Sequence, residues 1–458
     1  MEYSIIQKSQ LEGTKRLDAE YYQPEYLVLQ ENLERTKSIT PWGEIEGKFI
    51  TGPFGSEFNT ENYVHEGEYR YVRGKDVKDF FPTDEDNVYV PKEDFERLKK
   101  YALSEGDILI SVVGTPGIGA IVDATLPPAI FSCKSTVYRT KSVNPFYFIA
   151  YLNSSYGRKL LERSVRGAVQ TGLNIDDLRD LPVYLPSVTI QEDVGNGVQN
   201  AKKTLDESKA LYTQAEELLL EELGLKDFKA DEDLYSVVNF SNIKSVNRLD
   251  AEYFQPKYER VIASLKKHNA RKIGDLAGLV GHATQSPYDD AGDIAVLAQT
   301  HMKRSLTIDT SAFNNFTKED LIKINDKKFI LKKGDVLISS AGEPGLTSVW
   351  TGDYERRVIP GSFVTLARFG KDIEPLYAGV FLNTPAGKLQ FERDYTGSVQ
   401  QYVYPSKIKE ILIPILPKAT QEKIAELVQG SHAARKKAKE LLEEAKRAVE
   451  ELIETKAK

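Results

Sequence analysis

The residues best able to do chemistry in this chain are few, and their spacing argues against catalysis. Val112-Val-Gly-Thr-Pro-Gly-Ile-Gly119 is glycine-rich, as a phosphate-cradling loop would be. No Gly-Lys-Ser/Thr follows, and such a loop needs that lysine and hydroxyl. Cys133-Lys-Ser-Thr136 offers lysine and serine without the glycine cradle. Asn144-Pro-Phe-Tyr147 lacks the second proline of the Asn-Pro-Pro-Tyr motif of amino-methyltransferases. Glu46-Gly-Lys48 could end a nuclease Glu-x-Lys, but no Pro-Asp precedes it at a sensible distance. The five histidines (His65, His268, His282, His301, His432) show neither an i, i+4 pair nor metal-ligand spacing. One cysteine, Cys133, excludes an intramolecular disulfide and a multi-cysteine zinc site. A nucleophilic triad leaves no local spacing to recognise, yet a duplicated enzyme would repeat its polar chemistry. What this chain repeats is scaffold.

The repetition is extensive. Arg16-Leu-Asp-Ala-Glu-Tyr-Tyr-Gln-Pro-Glu-Tyr26 returns as Arg248-Leu-Asp-Ala-Glu-Tyr-Phe-Gln-Pro-Lys-Tyr258. Leu103-Ser-Glu-Gly-Asp-Ile-Leu-Ile-Ser111 returns as Leu331-Lys-Lys-Gly-Asp-Val-Leu-Ile-Ser339, Tyr151-Leu-Asn153 as Phe381-Leu-Asn383, and Gln191-Glu192 as Gln421-Glu422. So long a period is a duplicated domain with its connecting helix, not a solenoid repeat of about 20–50 residues. A shared frame with differing loops suits two different recognition specificities.

At 458 residues, 41% apolar and 28% charged, the chain is an ordinary globular sequence of two to four domains. No apolar run approaches the roughly 20 residues of a membrane span, and the first residues lack a secretory signal, so the expected location is cytoplasmic, with no membrane partner. The net charge of −7 argues, taken whole, against a nucleic-acid binder. Its distribution argues otherwise: Lys and Arg outnumber Asp and Glu in both 134–179 and 356–409, which correspond in the two halves. Residues 191–225, by contrast, are acidic.

Ile108-Leu-Ile-Ser-Val-Val-Gly and Val336-Leu-Ile-Ser-Ser-Ala-Gly read as buried strands, opened by Gly-Asp and closed by Gly-x-Pro-Gly turns. Asn144–Asn153 and Glu374–Asn383 read as short helices with proline at the first position. Each half ends in a proline-bounded strand and then a long helix. The first helix carries an apolar seam through Val194, Val198, Ala201, Leu205, Ser208, Tyr212, Ala215 and Leu219. The second carries Ile424, Val428, Ser431, Arg435, Ala438, Leu442, Ala445, Val449 and Leu452. Sustained 3-4 spacing predicts a coiled coil, with packing onto the helix's own domain as the alternative. Two such helices pairing within one chain must run antiparallel, giving a rod with a domain at each end and approximate two-fold symmetry. The fold expected is α+β, two tandem pseudo-repeated α/β domains separated by an antiparallel coiled coil. Its parts are 1–190, a helix over 191–225, a linker and second domain over 226–420, and a helix over 421–458.

The ordered set of duplicated motifs resembles the specificity subunit of type I restriction–modification systems, over essentially the whole chain. One departure is Gly278-Leu-Val-Gly-His-Ala-Thr284, which matches Lys48-Phe-Ile-Thr-Gly-Pro-Phe-Gly-Ser56 only loosely. The resemblance implies two target recognition domains, each reading one half of a split double-stranded DNA site, with the paired helices fixing the gap. It implies docking of two methyltransferase subunits that carry S-adenosylmethionine. Where a system has them, two restriction subunits that use ATP and Mg also join. This chain would bind no cofactor or metal and be non-catalytic. Phosphate contacts position such a protein and base contacts specify. The phosphate candidates are Lys134, Arg139, Lys141, Arg158, Lys159, Arg356, Arg357 and Lys388. The base-reading candidates are Ser56, Arg73, Lys75, Arg166 and Gln170 in the first half. In the second they are Gln285, Gln299, His301, Lys303, Ser398, Gln400 and Gln401. Arg166 and Arg393 flank the glycine-containing loops. Competing readings are a specificity factor for a methyltransferase without a nuclease, a two-domain scaffold that binds no DNA, and an enzyme with a scattered site.

Overall fold

A computed structural model describes residues 4–8, 11, 16–55, 57–167, 171–226, 228, 235–246, 248–397 and 399–457. Helix and sheet are mixed, in tandem domains. The chain divides into two compact units, Met1–Leu205 with Lys436–Lys458, and Asp206–Arg435. The long helices run Val188–Glu222 and Lys418–Ala457, each starting three residues before the sequence-based boundary.

In the first unit a four-stranded antiparallel sheet has the order Gly47–Thr51, Ser135–Thr140, Ile108–Ser111, Gly119–Ile121. A three-stranded sheet orders Val88–Val90, Tyr69–Val72 and Ala129–Phe131, the last pair parallel. The second unit repeats both. Its larger sheet runs Ala277–Gly281, Val364–Phe369, Val336–Ser339, Thr347–Val349. Its smaller one runs Phe316–Thr317, Ile294–Leu297, Arg357–Pro360. Ile108–Ser111 and Val336–Ser339 are buried throughout, as short apolar runs rich in β-branched residues are in a covered sheet. Gly106 and Gly334 open them with positive φ (83° and 89°), a conformation glycine adopts without strain.

The repeated residues are frame. Asp107 is 1% exposed and takes bonds of 2.6 Å from both Nε and Nη2 of Arg139; Asp335 and Arg368 repeat this at 2.7 Å. Gln191 Oε1 accepts from the Asn144 amide at 3.2 Å, and Gln421 Oε1 from the Glu374 amide at 2.9 Å, tying each long helix to its domain. Asn153 Nδ2 donates to the Gly119 carbonyl at 3.2 Å, and Asn383 Nδ2 to that of Thr347 at 2.9 Å. Asn144 is a helix N-cap, its Oδ1 accepting from the amides of Phe146 and Tyr147. The longest repeat, Arg-Leu-Asp-Ala-Glu-Tyr, builds a cation–aromatic clamp. Tyr21 lies between Arg16 (4.8 Å) and Arg163 (3.9 Å); Tyr253 lies between Arg248 (4.6 Å) and Arg393 (4.5 Å). Arg393, read from the sequence as flanking a binding loop, is thereby committed to Tyr253 and to Glu259 at 2.8 Å.

The helix seam is buried, and its core is continuous with that of each domain. In the first unit Val194 and Val198 share one core with Ala445, Val449 and Ile453, and with Tyr147, Tyr151 and Phe148 of the domain. Leu205 and Leu442 pack at its edge. In the second unit Leu219, Ile424 and Val428 share a core with Tyr377 and Phe381, and Tyr212 lies against it. In both units the start of one helix meets the end of the other, so the pairing is antiparallel. The seam closes on Ile453, not on Leu452, which is only partly buried. Ser208 and Ser431 each donate a hydroxyl to the other's carbonyl at 2.7 Å, a close approach that small side chains permit.

Candidate nucleic-acid interface

One end of each larger sheet gathers the exposed, differing residues. In the first unit the Val112 amide donates to the Lys134 carbonyl at 2.9 Å, and the Leu173 amide to the Val112 carbonyl at 3.0 Å. Arg166 and Gly172 exchange backbone bonds of 2.9 Å. These bonds hold the Gly114–Gly117 turn, the start of strand Ser135–Thr140 and the loop after Ser164 side by side. A cleft there of about 570 Å³ is lined by Thr51, Phe54, Val112, Thr136, Arg166 and Asn174, among others. Phe54 is an exposed aromatic in its wall. The Arg166 guanidinium is half-exposed and forked onto the nearly buried Asp177, with Nε 2.8 Å from Oδ2, which fixes its direction. Lys134 is exposed and makes no ion pair among the described residues. Gly74 packs against its Cβ, bringing in exposed Lys75, which pairs with Asp86 at 2.8 Å.

The second unit holds the same frame with other side chains. The Ser340 amide donates to Phe363 and the Val403 amide to Ser340, at 2.8 and 2.9 Å, while Thr396 and Tyr402 exchange backbone bonds. Phe363 therefore occupies the register of Lys134, and Tyr402 that of Gly172. Phe363, Tyr402 and Tyr404 form a contiguous aromatic cluster with ring centroids 6.3 and 4.8 Å apart, Phe363 and Tyr404 being exposed. Gln400 and Gln401 are exposed beside it on the turn before Tyr402. Exposed Gln285 lies by Gly361, and half-exposed Gln299 by Gly342 of the Gly-x-Pro-Gly turn. Phe54 and this cluster were missed in the sequence. Phe363 lies far from Tyr402 and Tyr404 in the chain, and only strand order brings it to them.

Other candidates lie elsewhere or are already occupied. Lys141 is exposed but follows the far end of strand Ser135–Thr140, about 20 Å from Lys134 at 3.3 Å per residue. Arg139, toward that end, is spent on buried Asp107, whose hydrogen bonds hold its guanidinium further above its ordinary pKa. Arg73 caps the turn Gly74–Asp76 through Asp76, at 2.9 Å. Arg158 bonds the Gly117 carbonyl at 3.3 Å, bracing the turn, and also pairs with Asp79. Lys159 pairs with Glu25. Arg357 is held between Asp293 (2.8 Å) and Glu319 (2.7 Å), and its hydrogen bond keeps Asp293 below the usual carboxylate range. Exposed Arg356 lies over the Phe316 ring at 4.9 Å. Both sit at the opposite end of strand Arg357–Pro360 from Gly361. Lys388 is partly buried, and loss of solvent pushes its ammonium pKa down. Half-exposed Lys303 has its backbone tied to Ser348. His301 is 5% exposed; its Nδ1 accepts from the Ala298 amide at 3.0 Å, and burial lowers its pKa. It is a turn cap turned into the core and presents nothing to a base edge. Ser56, Gln170 and Ser398 lie outside the described residues. No group of acidic, histidine or cysteine side chains able to hold a metal occurs among the described residues.

Residues 53–217 match the model of the type I restriction modification DNA specificity domain. The similarity to type I DNA specificity domains thus covers about a third of the chain. The match takes in all of the first unit's strands described above but Gly47–Thr51, the Gly114–Gly117 turn and most of the first long helix, and it bears out the resemblance read from the motifs. The second unit carries the same sheet order and the same pairing of an arginine with a buried aspartate, so one frame occurs twice. Among solved structures, the chain is similar to the type I restriction-modification S subunit from M. genitalium. Identity is 13% and the TM-score 0.41, over 91% of this chain and 95% of that one. It is also similar to the HsdS subunit from Thermoanaerobacter tengcongensis, at 14% identity and a TM-score of 0.28, over 91% and 96%. Both TM-scores lie below 0.5, so the architecture rests on the elements described above. No curated protein matches. Among the described residues no helix is long and apolar enough to cross a membrane.

Proposed function

We propose that this chain is the specificity subunit of a type I restriction–modification complex. It reads a bipartite double-stranded DNA site, one half per domain, and positions two methyltransferase subunits that carry S-adenosylmethionine and methylate adenine. Restriction subunits using ATP and Mg join where the system includes them. The chain itself binds no cofactor, performs no bond-breaking step and acts in the cytoplasm.

The observation that carries this reading is one duplicated frame with two different exposed ends. The first half presents Lys134, Arg166, Asn174 and Phe54; the second presents Phe363, Tyr402, Tyr404 and four glutamines. Arginine and glutamine suit base edges in the major groove, and apolar faces suit thymine methyl groups. Different side chains at the same register give different half-sites. The acidic total charge fits a subunit that shares its basic DNA cleft with partners. Selection of bound duplexes from a random pool by the assembled complex tests the reading. A motif of two short blocks with a fixed gap is expected, and its binding should fall steeply with salt. A single continuous block, or salt-insensitive binding without sequence preference, would refute it.

A further inference from the structure

The internal duplication acts as a comparison of two sequences under one frame. Residues repeated and buried hold the frame; residues exposed and different give specificity. A third class is exposed and unchanged. In Arg16-Leu-Asp-Ala-Glu-Tyr and its copy, the arginines, aspartates and tyrosines are engaged in the clamp and its Arg–Asp forks. Leu17 and Leu249 are not: they are 86% and 81% exposed. Ala19, Glu20, Ala251 and Glu252 are exposed as well, and neither glutamate makes an ion pair among the described residues. Ser4 and Ser236 donate to the carbonyls of Tyr22 and Phe254 at 2.6 and 3.1 Å, placing exposed Ile5 (86%) and Val237 (94%) in corresponding positions. A singly exposed leucine is ordinary; what calls for an explanation is the same leucine exposed at both duplicated positions, where neither domain's core uses it.

We propose that Leu17 with Glu20, and Leu249 with Glu252, are two copies of one docking site for a protein partner bound twice. The partner offers an apolar pocket for the leucine and a lysine or arginine for the glutamate. The carboxylates repel phosphate, which excludes DNA as the occupant. Identity between the halves excludes a role in telling half-sites apart. Resting on the function proposed above, the partner is the methyltransferase subunit. The first of these sites precedes the matched specificity domain, which begins at residue 53.

The test is the mass of the intact complex formed with the type I methyltransferase subunit of the source organism. Wild type should carry two copies. Leu17→Ser or Leu249→Ser should each carry one, with at least a tenfold weaker second binding, and the double variant none. Glu20→Lys, a change at an exposed side chain, should repeat the Leu17→Ser result, and the circular dichroism of every variant should stay unchanged. Two copies on the double variant overturn the proposal alone. Loss of DNA binding with both copies retained assigns the surface to DNA and overturns it too. A wild-type chain that takes up no methyltransferase overturns the functional reading itself, and the occupant named here with it.

Discussion

Replacing Arg139 by alanine separates a structural cation from a DNA-binding one. The variant leaves Asp107 buried with the Ser104 amide, at 2.8 Å, as its remaining described partner. Stranding a fully buried charge costs about 3–5 kcal/mol. Arg139 is itself partly exposed, so water reaches one side of the pair, and the retained amide bond offsets more. A cost of about 2–3 kcal/mol follows from the two charge-assisted bonds lost. For a unit of this size that is a fall of roughly 5–10 °C in the midpoint of thermal unfolding. Differential scanning calorimetry should resolve the affected unit, and Arg368→Ala should do the same to the other one. Arg139→Ala protein that is still folded should bind DNA as wild type does, with an unchanged salt slope. An unchanged melting profile with a shallower salt dependence would refute this assignment and restore Arg139 as a phosphate contact.

Tyr404→Ala should weaken binding by about 1–3 kcal/mol on duplexes carrying the second half-site and leave discrimination at the first unaltered, as measured by competition with half-scrambled duplexes. Arg166→Ala should do the converse; equal losses on both half-sites would mean that neither residue reads sequence. Burial holds the pKa of His432 below 6.5, its Nε2 lying 2.8 Å from the Ser305 carbonyl, with Arg435 opposing protonation and Asp353 favouring it. A depressed folded pKa means stability is present above the unfolded value and is lost as pH falls from about 6.5 through the folded one. The second unit should therefore lose stability as pH falls through this window in denaturant titrations, and His432→Gln should flatten the slope. Inserting residues into one long helix should change the gap between half-sites and neither half-site itself; a changed half-site sequence would sink the spacer role.

The frame was legible because its signals are local. Apolar runs between Gly-Asp and Gly-x-Pro-Gly gave the central strands, and 3-4 spacing gave both long helices. Sequence spacing could not say what the seam buries, and the seam proved continuous with each domain's core. The interface was legible only in part. Lys134, Arg166, Gln400 and Gln401 stand at the shared end of the sheet because they flank turns visible in the sequence. Arg139, Arg357 and Lys388 looked equally free, but their neutralising or burying neighbours are distant in the chain. Asp107 is 32 residues from Arg139, and Glu319 is 38 from Arg357. The Phe363, Tyr402 and Tyr404 cluster was invisible for the same reason. Exposed aromatics scattered through a sequence look like core until strand order shows that they face outward together.

The most direct test of the central claim is a genome-wide map of methylated adenines in the source organism, with and without this gene. The account predicts that one split motif, two short blocks at a fixed gap, loses its methylation when the gene is removed. It also predicts that exchanging residues 47–184 for those of another specificity chain changes one block only. Unchanged methylation on deletion, in cells that express a type I methyltransferase subunit, would contradict it.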